Sequence, residues 1–299
     1  MYINPYDSMK KGAGQWLKGN FHTHAGTGEG TCGAYAVDDV FALYKEAGYQ
    51  VLTISNHDLF TDTEEYALRH GMVMLNGFEY SRDPHMLCIN VKDCFIKTHQ
   101  ETIDECKRQG GFVILNHPNW QRKEYWAWKG MDTLSGYTGI EIYNGVIFRL
   151  SGSGLATNTW DYLLSQGKIV WGFANDDFHR WYDLARAWNL IYSPSLTKED
   201  VQGAMQRGCF YASTGLILNE FGFTGGILRI SARAKDTYVK VYKYRFIGRD
   251  GQVLCEQDNE YGEYRFIGDE LYVRVQVVSE HGAMLWTQPV YKSDLFRKP

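Results

Sequence analysis

Between residues 19 and 180, short apolar runs end one after another in histidine, asparagine or an acid. Val51-Leu52-Thr53-Ile54 leads into Ser55-Asn56-His57-Asp58, and Met72-Val73-Met74-Leu75 into Gly77-Phe78-Glu79-Tyr80-Ser81. Phe112-Val113-Ile114-Leu115 leads into Asn116-His117-Pro118, and Ile169-Val170-Trp171-Gly172-Phe173 into Asn175-Asp176-Asp177-Phe178-His179. Helical spacing separates the runs: Val40, Leu43, Tyr44 and Ala47 recur before Gly48, and Thr61 to Glu64 and Thr98 to Glu101 have the form of capping boxes. Strands alternating with helices predict a parallel sheet. Polar clusters at successive carboxyl ends predict a site on one face of an α/β protein, a distorted (β/α)7 TIM-like barrel of about seven strands. If that sheet closes, the first strand lies beside the last; an open doubly wound sheet would hold them apart.

The first of these clusters, Phe21-His22-Thr23-His24, carries two histidines two apart, which in an extended chain emerge on one side and can share a cation. Glycines follow, and Glu29 sits beyond the turn they allow. His22, His24, His57, His85, His117 and His179 all fall next to strand ends, six of the nine histidines, while Glu29, Glu79 and Asp177 add carboxylates. Imidazole with carboxylate is the ligand set of Zn²⁺, Mn²⁺ or Fe²⁺, and a mixed set of this kind leaves open positions for chemistry. Asp177 has the two-residue offset from His179 that shares a face with it; Asp176 does not. Glu141 follows strand spacing near the same face, but nothing in its surroundings marks it as a ligand. His70, His99 and His281 read as ordinary packed or solvated residues.

Composition narrows the classes. The six cysteines form no Cys-x-x-Cys pair or framework spacing, which points to reduced thiols in the cytoplasm, outside the ligand pattern. No run approaches the roughly 18 apolar residues of a spanning helix. A net charge of -4 argues against a grip on long nucleic acid and leaves small partners, a single nucleotide included. From Leu216 onward, alternation such as Leu228, Ile230, Ala232 and Leu271, Val273, Val275, Val277 predicts half-buried antiparallel strands. The expected division is therefore 1–215, carrying every candidate ligand, and a small all-β unit, 216–299. Oligomeric state is not legible.

The ordered succession His-x-His with its glycine-rich turn and acid, Ser-Asn-His-Asp, Gly-Phe-Glu-Tyr-Ser, Asn-His-Pro and Asn-Asp-Asp-Phe-His resembles the polymerase and histidinol phosphatase (PHP) family of metal-dependent phosphoesterases, over about residues 19–180. Gln206 to Gly215, with the β unit after it, further resembles a branch of metallohydrolases that includes carbamate ester hydrolases. The first resemblance implies two or three divalent ions: one on His22, His24, Glu79 and Asp177, one on Glu79, His85 and His117, and a third on Glu29, His57 and His179. Family members usually show Asp or His where Glu29 stands. The implied chemistry is attack on a phosphoester, of a nucleotide or another small molecule, by a hydroxide bridging the metals. Asp58 is either a proton carrier or an orienting partner of a ligand; Arg82 and Arg180 are candidate phosphate clamps, against ordinary ion pairs. A metallohydrolase of carbon esters, carbamates or amides, or a non-catalytic metal-containing binding protein, are the alternatives.

Overall fold

A computed structural model describes residues 1–123, 125–235, 238 and 242–294, without the side chains of Lys10 and Lys11. The last residues of the expected β unit, 295–299, lie outside that description, as do 236, 237 and 239–241. The protein is a mixed α/β structure in which the apolar runs are buried strands. Gln15–Asn20, Val51–Leu52 and Val73–Met74 pair in parallel, and so do Phe112–Leu115, Gly139–Asn144 and Trp171–Asn175.

Two features depart from an all-parallel barrel. Gly77–Tyr80 and Met86–Ile89 form an antiparallel pair, because loop 81–85 is too short for the crossover that parallel strands need. Met86–Ile89 therefore runs against its neighbours on both sides, and its beginning lies at the face where the other strands end. That is why His85 precedes its strand while the other candidate ligands follow or end theirs. Second, the strands do not close into a continuous ladder. Gln15–Asn20 gives its second edge to Trp188–Ser193, antiparallel, and so has no edge left for Trp171–Asn175.

Buried asparagines bridge that seam. The Asn175 side chain accepts from the Phe21 amide at 3.1 Å, Asn20 accepts from the Asp176 amide at 2.9 Å, and Asn189 both accepts from and donates to Ala174 at 3.0 and 2.8 Å. Just past the strands, one isolated parallel bridge joins Thr23 to Phe178 and another joins His57 to Glu79. The first and last candidate-ligand segments are thus neighbours, held by single bridges and side chains instead of a closed barrel ladder.

Helices pack outside. Val37–Glu46 ends before Gly48, which takes a left-handed φ of 81°. His99–Arg108 has the full Thr98–Glu101 capping box, and Thr197 caps Lys198–Gln206 by accepting from the Asp200 amide. The box expected at Thr61 is not formed: Glu64–His70 starts after Thr63 with no side-chain cap, because Thr61 accepts from Asn56 and Thr63 bonds to Asn76.

The alternating segments beyond Leu216 are antiparallel strands, buried at every second residue in Ile227–Ala234. Leu216–Thr224, Ile227–Ala234 and Tyr261–Arg265 make a small sheet of three strands. Tyr272–Ser279 and Met284–Thr287 instead continue the large sheet through Phe210–Ser213 to Trp188–Ser193. A buried ion pair adds a second tie across the same junction: Arg274 grips Asp161 of helix Thr157–Ser165 with Nε at 2.7 Å and Nη2 at 2.6 Å.

Candidate metal centre

At the face where the strands end, three site residues leave the chain in the left-handed region: Asp58 (φ 47°), His117 (φ 32°) and Asp177 (φ 54°). Asp and His are among the residue types that tolerate this conformation, and at the end of a strand it turns the chain abruptly. His22 and His24 need no such turn. They flank Thr23, whose bridge to Phe178 is fixed by hydrogen bonds from the His24 amide to Phe178 O at 2.8 Å and from the Phe178 amide to His22 O at 3.3 Å.

Glu79 is the hub. Its Oε1 lies 3.4 Å from His22 Nε2, 3.0 Å from His85 Nδ1 and 3.3 Å from His117 Nε2. Its Oε2 lies 3.4 Å from His24 Nε2 and 2.8 Å from His57 Nδ1. Asp177 Oδ1 is 3.2 Å from His22 Nε2, 3.3 Å from His24 Nε2 and 3.5 Å from His179 Nδ1. Two carboxylates and six imidazoles thus share one space. His22, His24 and Glu79 are fully buried, yet His22 Nε2, both nitrogens of His24 and Glu79 Oε2 have no hydrogen-bond partner. Buried polar atoms left without partners are costly, and a convergent set of them fits a cation. Potential ligand atoms cluster within 4.8 Å of one another in four groups: His22, His24 and Asp177; His57, Glu79 and His85; His22, His117 and Glu141; and His24, Cys32, His57 and His179.

A further layer of side chains aims these ligands. Glu141 accepts from His22 Nδ1 at 2.8 Å and from the His117 amide at 2.8 Å, which leaves His22 Nε2 to face Glu79 and Asp177. The Tyr125 hydroxyl is 2.8 Å from His117 Nδ1, and Ser81 Oγ is 2.6 Å from His57 Nδ1. Asn116 donates to Glu79 Oε1 at 2.7 Å and Asn144 to Asp177 Oδ2 at 3.2 Å.

Electrostatics follow from this crowding. Burial alone would raise Glu79, but His22, His57 and His117 hold it well below the usual carboxylate range; His22, His24 and His179 do the same for Asp177. Burial would lower His22, yet Asp177, Glu141 and Glu79 lift it well above an ordinary imidazole. His57 rises to about 10 against its burial, beside Glu79 and Cys32. Burial would raise the Cys32 thiol, but His179, His24 and His57 bring it down to about 4. These side chains attract one another strongly as ions, the condition under which charge is tolerated inside a protein.

Eight of the nine residues expected as metal ligands converge here: His22, His24, His57, Glu79, His85, His117, Asp177 and His179. Glu29 does not. It is exposed and belongs to none of the four groups, so the expectation for it is corrected: the glycine-rich turn carries it outward, and Cys32, three residues on, stands beside His57 and His179 instead. Asp58 accepts from the Ser81 amide at 2.8 Å and lies 3.5 Å from Arg82, so it braces the turn holding Ser81. Neither Asp58 nor Arg82 lines the cavity above the cluster, whereas Arg180 does.

That cavity, about 390 Å³, is lined by the candidate ligands His57, Glu79, His85, His117, Asp177 and His179 and by Trp120, Val146, Ile147 and Leu150. Arg122 and Arg149 also line it, but Arg122 is paired with Asp83 at 2.8 Å and Arg149 with Asp183 at 3.1 Å. Arg180 makes no ion pair among the described residues. Sequence reading passed over Glu141 and Cys32. The one signal for Glu141 was a carboxylate between Ile140 and Ile142 in an apolar strand run; for Cys32 there was none, since its place depends on how loop 26–35 folds back.

The architecture and this cluster define a mixed α/β fold with a candidate metal centre. Among solved structures, the chain is similar to a two-domain protein from Bacteroides vulgatus containing a predicted PHP-like metal-dependent phosphoesterase, with 15% identity and a TM-score of 0.55 over 93% of this chain and 96% of that one. It is also similar, over 54% of its length and 87% of the other chain, to a candidate metal-dependent phosphoesterase from Bifidobacterium adolescentis, with 14% identity and a TM-score of 0.41. No protein-family model matches the sequence, and no curated protein matches it at a significant level. The likeness to the Bacteroides protein shows a shared fold across nearly the whole chain. No helix among the described residues is long and apolar enough to cross a membrane.

Proposed function

We propose that this protein is a metal-dependent hydrolase of small phosphoesters, working with two or three divalent ions of the zinc, manganese or iron class in a reducing compartment such as the cytoplasm. The observation that carries the reading is Glu79, a fully buried carboxylate within 3.4 Å of five imidazoles at the floor of an open cavity. His22, His24, Glu79 and Asp177 would hold one ion, and Glu79, His85 and His117 a second. Such ions supply Lewis acidity and an acidified water, and they neutralise charge building on phosphoryl oxygens.

The chain's own groups do the rest. Glu141 and Tyr125 fix which nitrogens of His22 and His117 are presented. Arg180, which lines the cavity and makes no ion pair among the described residues, would meet a substrate anion. Ile147 and Leu150 give part of the cavity lining an apolar character. The cavity suits a small molecule or a single nucleotide, not a long polymer.

Turnover of bis-p-nitrophenyl phosphate and p-nitrophenyl phosphate by protein reconstituted with Mn²⁺ or Zn²⁺ tests this. Metal-dependent turnover of either ester is the expected result. Tightly bound metal with turnover of naphthyl carbamate alone would move the activity to carbon esters. A protein that retains no metal would refute the reading. Nothing in the structure favours the carbamate route: Phe210–Ser213, in the segment that suggested it, is an interior strand of the large sheet and contributes to no ligand group.

A further inference from the structure

We propose that Cys32 is a metal ligand, forming with His57 and His179 a thiolate-containing ion site at the mouth of the cavity that takes zinc-class ions in preference to manganese or magnesium. This rests on the metal-centre reading above and assigns one residue and one selectivity within it.

Geometry supports it from three directions. One ligand atom from each of His24, Cys32, His57 and His179 lies within 4.8 Å of all the others. His24 is fully buried with neither ring nitrogen hydrogen-bonded, and since Nε2 faces Glu79 and Asp177 at the first ion position, Nδ1 is left in this group without a partner. His57 Nδ1 is hydrogen-bonded to Ser81 Oγ at 2.6 Å and faces Glu79, and His179 Nδ1 is bonded to the Asp177 carbonyl at 2.8 Å; in each, Nε2 is the atom remaining for an ion.

The loop that delivers Cys32 is built to hold it there. The Gly26 amide donates to Tyr35 O at 2.7 Å, the Ala34 amide to His179 O at 3.1 Å, and Thr31 Oγ1 to the carbonyls of Gly26 and Gly28 at 2.8 and 2.7 Å. At Gly33 a Cβ would stand 2.7 Å from the Ala25 Cα and 2.8 Å from His24 O, so only glycine lets the loop press against the strand extension that carries His24. The other five cysteines belong to no such group, and Cys88, Cys106 and Cys209 are buried. Thiolate sulfur with imidazole nitrogen is a donor set for Zn²⁺ and Co²⁺, whereas Mn²⁺ and Mg²⁺ favour oxygen.

The test is anaerobic titration of the reduced, metal-stripped full chain with Co²⁺, followed by absorption and by metal count. Wild type should develop a near-ultraviolet thiolate-to-cobalt charge-transfer band. Cys32→Ser should lose the band and one bound equivalent, and Cys32→Asp should regain the equivalent without the band. Independently, Zn²⁺ should slow alkylation of Cys32 by iodoacetamide in wild type, read by peptide mass spectrometry, which needs no variant to fold. Cobalt bound without the band, with Cys32 alkylated equally fast with and without Zn²⁺, overturns the assignment of Cys32 and leaves the hydrolase reading standing. No cobalt bound at all overturns both.

Discussion

Replacing Glu141 by glutamine keeps its volume and removes its charge, and the structure shows why the amide cannot substitute. Oε1 accepts from His22 Nδ1 at 2.8 Å and Asn175 Nδ2 at 2.9 Å; Oε2 accepts from the His117 amide at 2.8 Å and Asn144 Nδ2 at 2.9 Å. Whichever way the new amide points, its NH₂ meets two donors. Neither asparagine can turn to accommodate it, because Asn175 Oδ1 is held by the Phe21 amide and Asn144 Oδ1 by the amides of Val146 and Ile147. His22 could respond only by moving its proton to Nε2, the atom that faces Glu79 and Asp177, and so ceasing to be a ligand. Loss of such an orienting partner weakens metal binding by about 10- to 100-fold, or about 1.4 to 2.7 kcal/mol. Competition with a chromophoric chelator for Zn²⁺ measures it, and far-UV circular dichroism reports whether the variant is folded. A folded Glu141→Gln protein with wild-type zinc affinity would refute the role given to Glu141 and the assignment of His22 as a ligand through Nε2.

Four other outcomes are expected. Glu79→Gln should lower the bound-metal count more than any single histidine variant, measured by plasma mass spectrometry, because it serves five imidazoles. Arg180→Ala should raise KM for a phosphoester more than it lowers kcat, while Arg82→Ala, outside the cavity and paired with Asp58, should leave both unchanged in steady-state assays. Arg274→Met should cost about 3 to 5 kcal/mol in urea denaturation by leaving Asp161 charged and buried, and the added change Asp161→Leu should recover most of that loss. Stripping metal with a chelator should lower Tm, since an ion bound only by the folded protein adds about 2.7 kcal/mol at a free concentration of 100 Kd; equal melting curves with and without chelator would contradict binding at this site.

The layout of the chain was legible where local rules act alone. Apolar runs such as Phe112–Leu115 became buried strands, and Thr98–Glu101 capped its helix, because both depend on neighbours within a few residues. Pairing was less legible. The hairpin Gly77–Ile89 reads as two more strands of a parallel series until the brevity of loop 81–85 is weighed, and the edge of Gln15–Asn20 is taken by Trp188–Ser193, which periodicity cannot foresee. The seam left behind is closed by Asn20, Asn175 and Asn189, residues that in the sequence look like ordinary turn formers.

The site was legible for a related reason, and it failed to be legible at one predictable place. Histidines and acids at strand ends occupy positions fixed by the strands themselves, so Glu79 and His117 could be named without knowing which strand paired with which. Even the reversal of Met86–Ile89 did no harm, since it brings the start of that strand, with His85, to the face where the others finish. A ligand on a loop has no such guarantee. Glu29 and Cys32 lie on the same glycine-rich excursion, and the hydrogen bonds Gly26 to Tyr35 and Ala34 to His179, with the close approach at Gly33, decide which of the two returns to the cluster. The type of residue suggested the carboxylate, whereas the path of the backbone favours the thiol, so a change in that path should alter the ion position proposed at Cys32 while leaving the Glu79 hub in place.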